Sequence, residues 1–220
     1  PTAMAIGYDW LDGDLSPELK AKLRAAITHW IETFDAKGFA RDHPQGNYFA
    51  GYYNAKALAA LATQGDFDKS PTWWKDWHER LHLKMVQPYY AKYMAGGGWP
   101  EGWNYGAFAT VNMTWPVWAA TTAKGEDLFR DKRAPYTFPF DQAVHLVHFA
   151  WPDRIHMEDR GMLYDGAFDE VAPAPIWPLT VLPEILRREG DAFAPHLQRQ
   201  AREVRERRKK KGPAWMDFLF

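Results

Sequence analysis

The sequence predicts an all-α protein, and three observations support that class. Apolar residues recur at intervals of three and four through most of the 220-residue chain. Residues that typically start or stop helices flank these stretches. Alternation with a period of two is almost absent before residue 214. Together these patterns predict an array of helices joined by links of unequal length.

Each predicted helix is marked by its own pattern of residues. The first begins at Ser16, a typical N-cap, and ends at Gly38. The third predicted helix has Ser70 as its N-cap, and Pro88 should disturb it near its end. Pro116 should kink the fourth helix. The second and the later helices are predicted over residues 48–62, 103–123, 139–150, 176–188 and 194–210.

Composition points to a ligand cleft rather than to a nucleic-acid or membrane surface. Aromatic residues make up 16% of the chain, and tryptophans set among glycines and polar residues typically bind sugars. Cofactor rings and a protein interface remain alternatives. Residues 199–211 carry eight basic and two acidic side chains, a net +6, which we interpret as a solvated face. Cysteine is absent, and no apolar run reaches the roughly 20 residues needed to span a bilayer.

The segment GGGWPEGWNYG, residues 96–106, has two interpretations. It is either a glycine turn that opens a helix, with tryptophans filling the interior, or the floor of a site. In the second case the glycines admit a ligand, Trp99 and Trp103 stack on sugars, and Tyr105 transfers a proton. Glu101 is either a helix-start carboxylate or a general acid, and we favour the first role.

Asn47 marks a second candidate site at the head of the second predicted helix. Its side chain either caps that helix or donates its amide to a substrate carboxylate, with His43 and Tyr48 assisting. Asn54 lies two turns further on, where a core asparagine with a satisfied amide is the default expectation.

Histidines near the fifth predicted helix form a third candidate. His145 and His148 have the spacing of a metal-ligand pair, and His156 would complete the set. We favour a metal-free interpretation in which the helical histidines are buried and hydrogen-bonded. His156, Asp159 and Arg160 would then face the ligand, since arginine forks match carboxylates.

The links between helices suggest where these candidates meet. If successive helices are antiparallel, the links 37–47, 94–102 and 151–175 emerge at one end of the array. Two of these links lead into helix N-termini, which favour anions. The pattern therefore predicts a rim that suits an anionic sugar bearing a uronate carboxylate.

Four motifs in order carry a family resemblance. They are YDWL at 8–11, LSPE at 15–18, Asn47 at the head of a small-residue helix, and the glycine, tryptophan and glutamate pattern of 97–105. Over residues 8–125 the chain resembles the N-terminal helical domain of the heparinase II/III-like polysaccharide lyases.

The resemblance implies a particular architecture for the whole protein. Residues 1–213 would form an incomplete (α/α) toroid, and AWMDFLF at 214–220 would begin a strand leading into a β-sandwich domain. The chain would then be one part of a longer enzyme. No cofactor is expected within it, although the resemblance leaves room for a divalent metal in the sandwich.

The resemblance also implies cleavage of uronate polysaccharides by β-elimination. Asn47 would neutralise the substrate carboxylate, and Tyr105 would act as acid and base. Tyr48 occupies a position where some members have a histidine, and His156 would stand in for a histidine that usually comes from the sandwich. The predicted substrate-contacting residues are Tyr48, Trp99, Glu101, Trp103, Asn104, Asp159 and Arg160.

We therefore predict a bacterial, periplasmic or secreted lyase domain whose partner is an acidic polysaccharide. One alternative is a glycoside hydrolase on an (α/α) barrel, with Glu101 as acid and Asp153 or Asp159 as base. The other is a carbohydrate-binding helical domain without catalytic activity.

Overall fold

A computed structural model describes residues 1–130, 136–148, 156–158, 171–173 and 176–208. Helices dominate these residues, which confirms the predicted helical class. The helices are α1 (Thr2–Trp10), α2 (Pro17–Lys37), α3 (Asn47–Ala62), α4 (Ser70–Lys75), a π-helical segment (Asp76–Val86), α5 (Gln87–Tyr93), α6 (Gly102–Lys124), α7 (Phe138–His148), α8 (Ile176–Arg188) and α9 (Ala194–Arg208).

A short hairpin departs from the predicted all-α pattern. Strand β1 (His156–Glu158) pairs antiparallel with strand β2 (Val171–Pro173), and His156 is opposite Pro173. Each strand has three residues, too few for period-two alternation to stand out in the sequence. Residues 214–220, predicted to begin a further strand, lie outside the described residues.

The described residues divide into two compact units. The first contains Pro1–Tyr89 and the segment from Trp115, and the second contains Tyr90–Thr114 and the segment from Tyr136. The division falls within α5 and within α6, so both helices contribute residues to each unit.

Helix α1 begins the first unit and was not predicted. Tyr8 is fully buried, and its hydroxyl donates a hydrogen bond to the carboxylate of Asp66. The helix packs against α2 and α3. At the start of α2, the backbone N–H of Leu19 donates to Oγ of Ser16 at 3.2 Å, which confirms the predicted cap.

The core of the first unit forms where α3 packs against its neighbours. Helix α3 is buried along nearly its whole length, because its alanines let other helices approach closely. Aromatic residues fill the remaining space. The buried members of this core are Ala5, Ile27, Ile31, Leu58, Ala59, Ala60 and Trp73.

The predicted third helix is correct in position but wrong at its start and in its interior. Its N-cap is Lys69, while Oγ of Ser70 donates to the carbonyl of Thr63 at 2.9 Å instead of capping. The helical path continues past Pro88 to Tyr93. Pro88 lies where the bonding register changes from π to α, so its missing N–H interrupts no continuous α ladder.

The π-helical segment builds a column of stacked rings. The ring of Trp77 is 5.2 Å from that of His82, five residues later, at an angle of 8°. His82 is fully buried, and its Nδ1 lies 2.6 Å from the hydroxyl of Tyr53 on α3. The N–H of Gln87 donates to the carbonyl of His82, the five-residue bond of a π-helix.

The second unit has its own core, built from α7, α8 and α9. These three helices pack on one another in every pairing. Their apolar residues follow helical spacing, as the sequence predicted. The buried members are Ala143, Leu146, Leu179, Leu182, Leu186, Ala194, Leu197, Ala201 and Val204.

Helix α6 runs unbroken from Gly102 to Lys124 and contains Pro116, within one residue of the predicted bounds at each end. Throughout the described ranges, no helix has both the length and the apolar character that crossing a bilayer requires.

Candidate functional site

The glycine turn before α6 is shaped by packing within the second unit. Gly96 and Gly97 have φ values of 88° and 80°, a region that residues with a side chain rarely adopt. A Cβ atom on Gly97 would lie 2.5 Å from the carbonyl oxygen of Asp141 on α7. The close approach predicted for a ligand is therefore made at Gly97 by the protein's own backbone.

Two side chains of α7 hold this turn. The backbone of Gly96 hydrogen-bonds both the carboxylate of Asp141 and the ring of His145. Burial raises the pKa of Asp141, and the bonds to Gly96 and Thr137 offset part of that rise. Burial likewise lowers the pKa of His145, which favours the neutral imidazole. His145 thus anchors the turn. His148, which was predicted to be buried as well, is exposed, so that part of the prediction is wrong.

Trp99 corrects one of the predicted sugar contacts. Only 6% of its surface is exposed, and its ring lies 6.2 Å from that of Phe138. A Cβ atom on Gly106 would lie 2.7 Å from the Cβ of Trp99, so α6 is packed directly on this side chain. A ring buried in this way has no open face for a sugar, and the stacking role predicted for Trp99 is wrong.

Glu101 is engaged by the same tryptophan. The indole N–H of Trp99 donates to Oε2 of Glu101 at 3.1 Å, two residues away, directly before α6 begins. This contact favours the interpretation of Glu101 as a carboxylate that holds the turn in place. One carboxylate oxygen of Glu101 already accepts this hydrogen bond, which disfavours the alternative role of Glu101 as a general acid.

Tyr105 lies in the first turn of α6 and is half-buried. The neighbouring Trp103 and Asn104 are on the same helical turn, although their side chains lie outside the described part of the chain. The predicted contacts of those two residues with substrate therefore stay predictions.

Asn47 is the first residue of α3, and the cap of that helix is Gly46, with no side-chain capping bond. The alternative role of Asn47 as N-cap is therefore wrong. The expectation for Asn54 is met in its burial, since 1% of its surface is exposed. Asn47 belongs to the first unit and Tyr105 to the second.

Two exposed aromatic rings contact each other near the start of α3, and one of them belongs to Tyr48, the residue after Asn47. Tyr48 is 57% exposed and Phe39 is 73% exposed, and their ring centroids are 5.1 Å apart at an angle of 79°. Sequence analysis identified Tyr48 but missed Phe39, because an aromatic residue just after a helix end looks like any other apolar anchor. The missed signal is the glycine before it, which ends α2 and leaves Phe39 in the link.

The third candidate predicted from the sequence contains His156, Asp159 and Arg160, and the structure describes only part of it. The backbone of His156 lies in β1, and its side chain lies outside the described residues, as do Asp153, Asp159 and Arg160. Among the described residues, no group of three or more histidine and carboxylate side chains is placed to hold a metal ion.

A polar pocket of about 640 Å³ lies in the first unit. Sequence analysis did not predict it. The available signal was Lys56, a lone charge within an alanine-rich helix. Nine of the twelve residues that line the pocket are charged, and the full set is Glu32, Asp35, Arg41, Asp42, Tyr52, Lys56, Asp68, Lys69, Thr72, Trp73, Asp76 and Arg80.

The ion pairs in this pocket centre on Lys56, whose side chain is only 2% exposed. Its ammonium donates to Asp35 at 2.8 Å, to Asp76 at 2.5 Å and to the hydroxyl of Tyr52 at 3.1 Å. Arg80 completes the cluster with two bonds to Asp76, of 2.6 and 2.7 Å. All three ammonium hydrogens of Lys56 are therefore in use.

The charges of this cluster stabilise one another. Burial alone would lower the pKa of Lys56, but Tyr52 and the two carboxylates outweigh it, and the pKa lies above its ordinary value. Burial would raise the pKa of Asp76, yet Arg80 and Lys56 hold it below its usual value. Both shifts favour the charged forms of Lys56 and Asp76 at neutral pH, which is what their direct ion pair requires.

Comparisons with known proteins do not identify a relative, since no family model, no curated protein and no solved structure matches this chain. Function has to be inferred from the residues and their geometry.

Proposed function

We propose that this chain is the helical domain of a lyase that cleaves uronate-containing polysaccharides by β-elimination. The motifs shared with the heparinase II/III-like lyases support this proposal, as do the positions of Asn47 and Tyr105 at the beginnings of two long helices. We further propose that the helices make an incomplete (α/α) toroid that precedes a β-sandwich. The enzyme would be periplasmic or secreted.

The reaction requires a weak carbon acid to lose its proton. A base removes the C5 proton. The electron pair of the former C5–H bond becomes the second bond between C4 and C5, and the C4–oxygen bond breaks with its electron pair remaining on the leaving oxygen. The leaving oxygen takes up a proton. Negative charge accumulates on the uronate carboxylate during the first step, so donors aimed at that carboxylate lower the barrier.

The position of Asn47 is the observation on which the proposal depends most. As the first residue of a 16-residue helix, it lies where backbone N–H groups and the helix dipole favour an anion. Its carboxamide adds a donor of the kind that stabilises a developing oxyanion. The N-cap of this helix is Gly46, so Asn47 belongs to its first turn.

Tyr105 fits the proton-transfer role in the proposal. Tyrosine side chains ordinarily titrate near pH 10, so a phenol carries a proton at neutral pH that it can give to a leaving oxygen. Tyr105 is half-buried in the first turn of α6. The bond between Trp99 and Glu101, a few residues before, holds the turn from which α6 starts.

The test is a product assay on a panel of uronate polymers. A lyase generates a conjugated C4–C5 double bond that absorbs in the ultraviolet, whereas a hydrolase generates reducing ends only. We expect Tyr105→Phe to lower kcat by about 10²- to 10⁴-fold, the usual contribution of a general acid or base. The matched control is Tyr93→Phe, which removes a hydroxyl from an exposed tyrosine of the same unit and should change kcat little.

Two results would contradict the proposal. Reducing ends without ultraviolet absorbance would favour the hydrolase with Glu101 as acid. Binding of acidic oligosaccharides without any product would favour a carbohydrate-binding domain, the alternative that the exposed rings of Phe39 and Tyr48 also suit.

A further inference from the structure

We propose that Phe39 and Tyr48 form a stacking subsite for the sugar unit next to the uronate bound at Asn47. This inference depends on the proposed function for the identity of its ligand. Its physical basis is the geometry of the two rings and of the link that carries them.

The two rings are exposed although they pack against each other. Phe39 is more exposed than any other large apolar residue with a recorded exposure, and Tyr48 is more than half exposed. Their edge-to-face contact holds each ring in a defined orientation. An ordered pair of exposed aromatic rings suits the apolar C–H face of a pyranose.

The backbone between α2 and α3 holds Phe39 outward. Ala40 has a φ of 52°, the one residue other than glycine with a positive φ in the described chain. Such a conformation costs an alanine about 1–2 kcal/mol and persists only where its surroundings require it. The N–H of His43 donates to the carbonyl of Ala40 at 3.0 Å, and that of Gly46 to the carbonyl of His43 at 2.9 Å. These successive turns fix the link.

Polar side chains follow Phe39 in the same link. Arg41 and Asp42 follow the strained alanine and line the 640 Å³ pocket, and His43 is exposed. Nε of Arg41 lies 3.3 Å from a carboxylate oxygen of Asp42, which leaves other guanidinium donors for hydroxyl or carboxylate groups. Aromatic faces beside such donors and acceptors match a sugar, which has one apolar face and a polar perimeter.

The size of the patch favours a sugar over a protein partner. A stable protein interface covers about 800 Å² on each partner, far more than two side chains provide. Tyr48 directly follows Asn47 in the first turn of α3, and this adjacency in the chain is why we assign the two rings to the sugar unit next to the uronate.

The experiment compares Phe39→Ala and Tyr48→Ala with Trp10→Ala in the full 220-residue chain. Trp10 is 54% exposed in the same unit and serves as the matched control. Binding is measured by calorimetry with uronate-containing oligosaccharides and with neutral ones of equal length, and KM and kcat are measured on any substrate that is cleaved. We expect either subsite variant to weaken binding and raise KM about tenfold, with kcat unchanged and Trp10→Ala unaffected.

The possible outcomes separate this inference from the proposed function. Neutral oligosaccharides that bind through Phe39, without cleavage of acidic ones, would support the stacking subsite and overturn the lyase. Cleavage with an unchanged KM in both subsite variants would overturn the subsite and leave the lyase intact. Failure of the chain to bind any oligosaccharide would overturn both. Circular dichroism on each variant checks that the fold is retained.

Discussion

Lys56 illustrates how one buried charge organises the first unit. Helix α3 is otherwise alanine-rich and apolar around it, and the ammonium reaches carboxylates on α2 and on the π-helical segment. The lysine therefore links three helical elements through one atom. An apolar residue of similar length would fill the same space without satisfying either carboxylate.

We expect Lys56→Met to lower the free energy of unfolding by about 2–4 kcal/mol. Removing one partner of a buried pair usually costs more, but Asp35 and Asp76 are half-buried and can regain some hydration. Chemical denaturation measures the change. The control is Lys22→Met, which removes an exposed i,i+4 pair with Glu18 and should change stability by less than about 0.5 kcal/mol. Equal effects of the two substitutions would contradict a structural role for the cluster.

At single positions, the burial predicted from the sequence was correct for some residues and wrong for others. Asn54 was expected in the core, and that is where it lies. Trp99 was expected to face a ligand because it lies among glycines, but those glycines create the space in which the ring is buried. The same composition accompanies a packed turn and an open cleft, so sequence cannot distinguish them.

In the link before α6, Gly96 and Gly97 differ in the substitutions that they tolerate. Both Gly96 and Gly97 have positive φ, yet a Cβ on Gly96 meets no atom within 4 Å, whereas one on Gly97 meets the backbone of α7. Replacing either glycine by alanine would therefore strain the backbone, and replacing Gly97 would in addition cause steric overlap with α7.

We expect Gly96→Ala to destabilise the protein by about 1–2 kcal/mol through its backbone conformation alone. Gly97→Ala should cost at least about 2 kcal/mol more, because a rigid backbone lies 2.5 Å from the new atom. Thermal and denaturant unfolding of the two variants give the comparison. Similar losses in both would show that the turn moves away from α7 easily, which would contradict the packing role.

Helix boundaries were predictable where a side chain sets them. Ser16 caps α2 as expected, and α8 runs from Ile176 to Arg188, the predicted range. Helix α1 was missed because neither of its ends carries a side-chain cap. The π-helical segment was missed for another reason, since apolar spacing alone does not show whether each N–H bonds four or five residues back.

At the scale of the whole chain, the proposed reaction requires Asn47 and Tyr105 to act on the same uronate sugar. The two residues belong to different units, and neither the periodicity of the sequence nor the resemblance distinguished those units. Motif order along the chain gives candidate residues, which stay predictions, but it does not show how the chain divides, because that division depends on contacts between residues distant in sequence.

A double-mutant cycle tests whether the two residues act together. Asn47→Ala should lower kcat by about 10²- to 10³-fold, as loss of an oxyanion donor does. Combined with Tyr105→Phe, it should lower kcat little further, because residues that act in one step are strongly non-additive. Steady-state kinetics on a cleaved uronate polymer give the four rates. Losses that multiply would show that the residues act independently.

The π-helical segment has a consequence for aligning this chain with others. Its 11 residues take more chain per turn than an α-helix, which has 3.6 residues per turn. A relative in which this stretch is purely α-helical would need fewer residues to reach Pro88 with the same rotation. A gap in an alignment would then belong between Asp76 and Val86, and the spacing between Trp77 and His82 would shorten if the gap fell between them.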